Sequence, residues 1–266
     1  ICGKSEHKLN PTPVDNFPKL EAAGNTPFSV PTNIFAEMLK RTSYLVTELE
    51  ARPNLEGICV ELDKNIFRMI SSDSIRIAKV EYANKENYLV NFRQTIPKTV
   101  LAELISILSF GDTLHFGSDD SKIFFKCGTA SVSSTMLAQG FPNVSPFFSL
   151  EGYKSIEISK QNLLESLNRT SILSDKKSKI NEFVFSRKEL TLKVEDDESS
   201  ANEVIEIECP EEFSIGFKIE QVTQFVTSCS SEKVSFHFDD KKNRFYLTEP
   251  HEVLNNVYLL PPIKIQ

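Results

Sequence analysis

Histidine, cysteine and paired carboxylates are the groups through which a chain of this size catalyses or binds metal. Here they are few and scattered. His115 and His237 sit in alternating runs between large apolar residues and face away from the apolar set, so both read as solvent-side strand histidines; His7 lies in a polar, Pro-rich stretch and His251 follows Pro250. The five cysteines, Cys2, Cys59, Cys127, Cys209 and Cys229, include no CxxC pair. That spacing excludes zinc-ribbon and thioredoxin-like sites and fits reduced thiols in a cytosol. Asp119-Asp120 and Asp239-Asp240 could hold a cation, but each pair interrupts two alternating runs, where Asp supplies turn hydrogen bonds. The acidic run EDDESS, residues 195–200, reads as a solvated loop. GxSxG, HExxH, GxGxxG and Walker A patterns are absent. No nucleophile, base and oxyanion set comes together, so neither catalysis nor a cofactor nor a metal is expected.

The basic residues carry the remaining chemistry. Lys40 and Arg41 fall on a first predicted helix, Lys98 opens a second, Arg169 falls on a third with Lys176, Lys177 and Lys179 after it, and Lys218 opens a fourth. Glu37, Glu103, Glu165 and Glu220 are interspersed. Two readings stay open: salt-bridged helix surfaces, or a weakly positive face that touches phosphates without reading sequence. A net charge of −7 argues against a broad, tight grip on nucleic acid.

These helices belong to a repeat. LKRTSYL (39–45) matches LNRTSIL (167–173), each preceded by an apolar helical pattern (Ile34, Met38, Leu39; Leu163, Leu164, Leu167) and followed by a short strand-like run, ICVEL or FVFSR. IPKTVLAELISIL (96–108) matches GFKIEQVTQFVTS (216–228). Val100, Leu101, Leu104, Ile105 and Leu108 form one predicted stripe, and Ile219, Val222, Phe225 and Val226 the other. Each helix leads into a hairpin with a DD turn, 114–126 and 235–247. The fold class is therefore α+β: two copies of a unit with two helices on antiparallel sheet. CG…FP recurs in residues 1–20 and 126–144, so the first 20 residues read as the last strand and linker of a further unit. Ile1 in place of Met reads as a fragment or a processed product. There is no charged-then-apolar leader and no apolar run of the ~18 residues a membrane helix needs, so a cytoplasmic chain without membrane contact is expected.

RPNLEGICVEL (52–62), SSDSIRIA (71–78), GFPNV (140–144), SILSD (171–175), SIGFK (214–218) and the closing YLLPPIKI, in that order, resemble the bacterial DNA polymerase III beta subunit, the sliding clamp. The resemblance spans essentially the whole chain. It implies tandem clamp-type domains: residues 1–20 as the tail of a first domain, 21–142 as the middle domain and 143–266 as the C-terminal domain. It implies a processivity factor without catalysis that encircles duplex DNA as a homodimeric ring. Its helices would line the hole, and it would dock the polymerase III alpha subunit, the clamp loader and other proteins with clamp-binding motifs.

By the same resemblance, the segment those partners insert, bearing Gln and Leu or Phe, meets Arg52, Leu55, Ser72, Ser74, Ile75, Arg76, Ile77, Pro142, Phe147, Leu259, Pro261 and Ile263. Lys218, Gln221, Lys242 and Arg244 match the outer part of that pocket. Lys40, Arg41, Lys98, Arg169, Lys176, Lys177 and Lys218 would face DNA. Ile172 and Leu173 match a subunit interface whose other half belongs to the first domain, so the usual two-chain ring is not expected of this chain alone. The family's Gly-His is Ser74-Ile75 here, a tyrosine pair is Pro53-Asn54, a Met is Pro261, and Gln266 extends past the usual end. Two rival readings are an α+β enzyme of unknown chemistry and a repeat-built interaction protein unrelated to DNA.

Overall fold

The structure is a computed structural model that describes residues 3–4, 8, 25–89, 91–173, 180–195 and 200–265. One element order occurs twice. The first unit runs β1 (Phe28–Pro31), α1 (Thr32–Thr42), β2 (Gly57–Asp63), β3 (Ile66–Ser72), β4 (Ile77–Ala83), β5 (Phe92–Pro97), α2 (Leu101–Ile107), β6 (Thr113–Ser118), β7 (Lys122–Cys127) and β8 (Ala130–Thr135). The second runs β9 (Lys154–Ser159), α3 (Lys160–Leu173), β10 (Ile180–Phe185), β11 (Glu189–Glu195), β12 (Ser200–Glu206), β13 (Phe213–Lys218), α4 (Ile219–Ser228), β14 (Lys233–Phe238), β15 (Phe245–Thr248) and β16 (Leu254–Leu260).

Apolar periodicity explains the helices. Phe35, Met38 and Leu39 of α1 are buried, as are Ile219, Val222, Phe225 and Val226 of α4. The stripe expected on α2 needs correction. A tight helical turn precedes it, and Val100, Leu104 and Ile107 point inward while Ile105 is 54% exposed. A step of 100° per residue cannot bury Leu104 and Ile105 equally. Both DD pairs lie at hairpin turns. Asp119 Oδ1 accepts the N–H groups of Ser121 at 2.8 Å and Lys122 at 2.7 Å, and Asp239 Oδ1 accepts that of Asn243 at 3.2 Å. In the tight turn from β7 to β8, Gly128 sits at φ +55, and a Cβ there would lie 2.1 Å from the Phe110 carbonyl oxygen.

Each unit supplies two four-stranded antiparallel sheets. One from each unit joins the other as β4 pairs antiparallel with β16, giving an eight-stranded sheet ordered β5-β2-β3-β4-β16-β15-β14-β9. The other two, β1-β6-β7-β8 and β12-β11-β10-β13, stay separate. Across the seam Ile77 faces Leu259, Ala78 faces Tyr258 and Tyr82 faces Leu254. Alternation sends these side chains to opposite faces. Ala78, Tyr258 and Leu260 enter the core of the second unit together with Leu45, and Leu254 enters that of the first. Ile77, Val257 and Leu259 turn to the other face.

Candidate functional site

That other face carries a third apolar cluster, built by both units: Leu55, Cys59, Ile70 and Ile77 from the first, and Tyr246, Val257 and Leu259 from the second. The connection between the units, Phe141 to Tyr153, packs along it. Leu55, Ile77 and Leu259 are thus brought together as a floor. Tyr246, opposite Leu259 in the β15–β16 ladder, donates its hydroxyl proton to the Phe147 carbonyl. Above it, the half-exposed Phe147 ring holds the Arg244 guanidinium 5.4 Å from its centroid, a cation–π geometry.

The turn from β3 to β4 forms one wall. Asp73 Oδ1 accepts the N–H groups of Ile75 at 3.1 Å and Arg76 at 2.7 Å, while Ser72 Oγ accepts that of Ser74 at 3.1 Å and donates to the Arg76 carbonyl at 2.8 Å. This pins Ile75 at the apex, 66% exposed. Ser74 sits at φ +80, a conformation that suits glycine and strains a residue with a Cβ. Arg76 turns away from the floor. Its Nε meets Asp73 Oδ2 at 2.6 Å and its Nη1 donates to Gln224 Oε1 at 2.8 Å and Tyr258 Oη at 3.1 Å, toward α4.

Other candidates lie around or apart from this floor. Arg52 is exposed, with its carbonyl accepting the Leu55 N–H at 3.0 Å, and Pro142 is exposed, with its carbonyl accepting Arg93 Nη2 at 3.1 Å. Pro261 is half-buried just beyond β16. Ile263 has left the eight-stranded sheet and bridges Gly216 of β13 through N–H···O bonds of 2.8 and 2.9 Å. Lys218 and Gln221 belong to that side, at the β13–α4 junction. Lys242, at the β14–β15 turn, pairs with Glu211 at 2.7 Å and lies 5.0 Å from the Phe213 ring, in a second apolar environment. Sequence reasoning missed Tyr246 and Phe148, whose ring carries Lys79 Nζ at 4.7 Å from its centroid. The alternation in FYL (245–247) held the signal for Tyr246.

Helices α1, α3 and α4 lie together on the opposite side, α3 on α4 and α4 on α1. A groove of about 620 Å³ between them is lined by Lys40, Tyr44, Asn168, Ser171, Thr223 and Thr227, among others. Lys40 and Lys218 are exposed; Lys98 reaches Glu48 at 3.2 Å, and Arg169 reaches Glu203 at 2.8 Å and Glu165 at 3.6 Å. Lys176 and Lys177 lie outside the described residues, as does the side chain of Leu173. Ile172 is 81% exposed.

Arg41 is a correction. Its side chain is 0% exposed and cannot face a ligand. It pairs with Glu37 on its own helix, donates from Nε to Glu249 Oε1 of the second unit at 2.6 Å, and from Nη2 to Ser230 Oγ at 2.8 Å. Glu249 Oε2 accepts the N–H groups of Ser230 at 2.9 Å and Ser231 at 3.2 Å. Burial pushes the Glu249 pKa up, but the hydrogen bond and charge of Arg41 and these two N–H groups outweigh it and hold the carboxyl below its usual range.

Among the described residues no group of three His, Cys, Asp or Glu side chains could hold a metal ion, and no helix is long and apolar enough to cross a membrane. His237, half-buried, shares a hydrogen bond with Thr248 Oγ1 at 2.8 Å, so only His115 of the two strand histidines faces solvent freely.

Comparison with known proteins agrees with this architecture. Two family models match in order: the DNA polymerase III beta subunit, central domain, over residues 29–143, and its C-terminal domain over residues 148–262. The beta sliding clamp of Chlamydia pneumoniae is 26% identical over 191 residues, 71% of this chain and 52% of that protein. The beta sliding clamp of Rickettsia felis is 22% identical over 283 residues, 100% of this chain and 74% of that protein. The chain thus spans about half of the first relative's length and about three quarters of the second's. The crystal structure of the DNA polymerase III subunit beta from Pseudomonas aeruginosa shares the fold at a TM-score of 0.87 and 22% identity, over 98% of this chain and 73% of that one. A sliding clamp from the same organism, bound to griselimycin, does so at 0.87 and 21%, over 99% and 72%. With both models in register with the two units, the chain belongs to the DNA polymerase III beta subunit family.

Proposed function

We propose that the chain is the central and C-terminal part of a DNA sliding clamp: a non-catalytic processivity factor that encircles duplex DNA and docks polymerase and other partners by short peptides on the seam between its units. The observation that carries this reading is the apolar cluster on the outer face of the β4–β16 seam, to which both units contribute and beside which Ile75 and Phe147 stay exposed. Ile75 and Phe147, exposed beside this buried apolar floor with Arg52, Arg244 and the polar turn 72–76 around them, have the character of a peptide-docking surface, in which a few anchors dominate affinity. The partners proposed are the polymerase III alpha subunit, the clamp loader and other proteins bearing Gln and Leu or Phe in a short motif. Docking them on a ring makes the polymerase–DNA encounter intramolecular, at high effective concentration.

The helix face suits sliding. Lys98 and Arg169 are partnered by carboxylates, and Lys40 and Lys218 are left to meet phosphates. A topological ring needs little affinity for the backbone it encloses, and a net charge of −7 keeps it low. In this reading residues 21–142 and 143–266 are the two domains, and residues 1–20 the tail of a first one. Supporting that, Gly3 and Gly128 of the two CG pairs both sit in turns at positive φ, +62 and +55. In the longer protein Ile172 and Leu173 would meet the first domain of a second subunit in the cytoplasm.

Hydrogen–deuterium exchange with a Gln-Leu-x-Leu-Phe peptide tests the docking face. Protection is expected in residues 72–77 and 257–261. Protection confined to the helix face would sink the reading.

A further inference from the structure

The two repeated helix ends face each other across α4. LKRTSYL and LNRTSIL supply opposite walls of the groove of about 620 Å³: Lys40 and Tyr44 stand on one, Asn168 and Ser171 on the other. Its base is α4, where Ile219, Thr223 and Thr227 recur at every fourth position and so share a face. Both units build the groove, and its volume is that of a site for a small molecule.

Three groups in it select a ligand. Tyr44 is half-buried, and its hydroxyl oxygen is buried without a hydrogen-bond partner among the described residues. Ser228, beside it, gives its proton to the Phe225 carbonyl at 2.7 Å. Buried hydroxyls almost always find a partner, and one left without costs stability. Burial also pushes the Tyr44 pKa well up, so the phenol keeps its proton and calls for an acceptor. Lys40, four residues before Tyr44 and so one turn away, is exposed and pairs with no described carboxylate, unlike Lys98 and Arg169. Glu220, on the α4 side, sets the limit on charge. One negative charge can meet Lys40, and a second would stand against Glu220. Asn168, Ser171, Thr223 and Thr227 add no charge. The Tyr44 ring, held edge-on by Tyr258 at 5.8 Å, offers a flat apolar surface to another ring.

We infer that this groove binds a small aromatic monocarboxylate. One carboxylate oxygen meets Lys40 Nζ, and the other accepts the Tyr44 hydroxyl proton after a modest turn of that half-buried side chain. The ring of the ligand lies along the Ile219–Thr223–Thr227 row. A carboxylate there competes with the phosphates that Lys40 meets in the proposed function. The site goes beyond that function, and its test uses neither DNA nor peptide, so the two can fail separately.

Nitrogen–proton correlation NMR of the 266-residue chain, titrated with 1-naphthoate, is expected to give saturable shifts in residues 40–44, 168–171 and 219–228, with a Kd below about 1 mM. Affinity should fall about tenfold in Lys40→Met and about fivefold in Tyr44→Phe. It should be lost in Thr223→Trp, whose ring fills the groove, with circular dichroism unchanged. The neutral 1-naphthalenemethanol and the dianionic 1-naphthyl phosphate should bind more weakly than 1-naphthoate. Tyr44→Phe should leave the urea midpoint unchanged or raise it, because it deletes a buried group without a partner. A hydroxyl with a merely structural role would lower that midpoint on removal. No saturable shifts, shifts confined to residues 72–77 and 257–261 on the other face, equal affinity in Lys40→Met, or a lowered urea midpoint in Tyr44→Phe would overturn the inference.

Discussion

LKRTSYL ends α1 and LNRTSIL ends α3, yet the two helix ends have opposite fates. Their local chemistry is the same. Thr42 and Thr170 each donate to the carbonyl four residues back, at 2.9 Å, and Arg41 and Arg169 each pair with the Glu four residues back, Glu37 and Glu165. Beyond that turn they diverge. Arg41 is buried against Glu249, Leu45 lies in the core of the other unit, and the Tyr44 ring meets Tyr258 edge-on at 5.8 Å. Arg169 stays in solvent with Glu203, and Ile172 is exposed. The sequence of a helix end therefore sets its hydrogen bonds, while the neighbouring unit decides whether the same arginine is a buried clasp or a surface charge.

Removing each arginine separates the two fates. Arg41→Ala leaves Glu249 buried without its partner and is expected to cost about 3 to 5 kcal/mol in urea unfolding. Arg169→Ala removes an exposed pair and should cost about 1 kcal/mol or less. Equal losses would mean that the joint does not hold Arg41 as described. Next come the residues three positions on. Tyr44→Ala should cost about 3 kcal/mol, and Ile172→Ala about 0.5 kcal/mol or less in the same urea measurement.

Acid probes the same clasp. The Glu249 carboxyl has its folded pKa depressed, so its contribution is full above the unfolded value of about 4.3 and is lost as pH falls through the folded value. The urea midpoint of the parent should therefore drop more steeply below about pH 4.3 than that of Glu249→Gln, in which this group no longer titrates. A small effect of opposite sign belongs to the turn that leads into β4. Ser74→Gly removes the penalty of a Cβ at φ +80 and should raise stability by about 0.5 to 1 kcal/mol, after the entropic cost of glycine.

What could be read from the chain follows the range of the interactions. The α1 and α4 stripes, both DD hairpins and the repeat were legible because they depend on neighbours a few residues apart. Ile105 was misplaced because a period of 3.6 alone does not fix where a seven-residue helix starts. Arg41 could not be placed, since its deciding partner is 208 residues away. The candidate floor of Leu55, Ile77 and Leu259 came from the resemblance. Its companions Tyr246 and Phe148 went unseen because β4–β16 pairing, a contact between units, brings them there. Ser74 at positive φ gives a physical reason for the glycine that the resemblance puts at that place.

If the β4–β16 seam docks partner peptides as proposed, fluorescence anisotropy of a labelled Gln-Leu-x-Leu-Phe peptide titrated with the chain reports it. Saturable binding by the parent is expected, weakened at least tenfold in Phe147→Ala and lost in Ile77→Asp, with circular dichroism showing both variants folded, and unchanged in Val204→Asp on β12. No saturable binding by the folded parent, or equal affinity in Ile77→Asp, would contradict it.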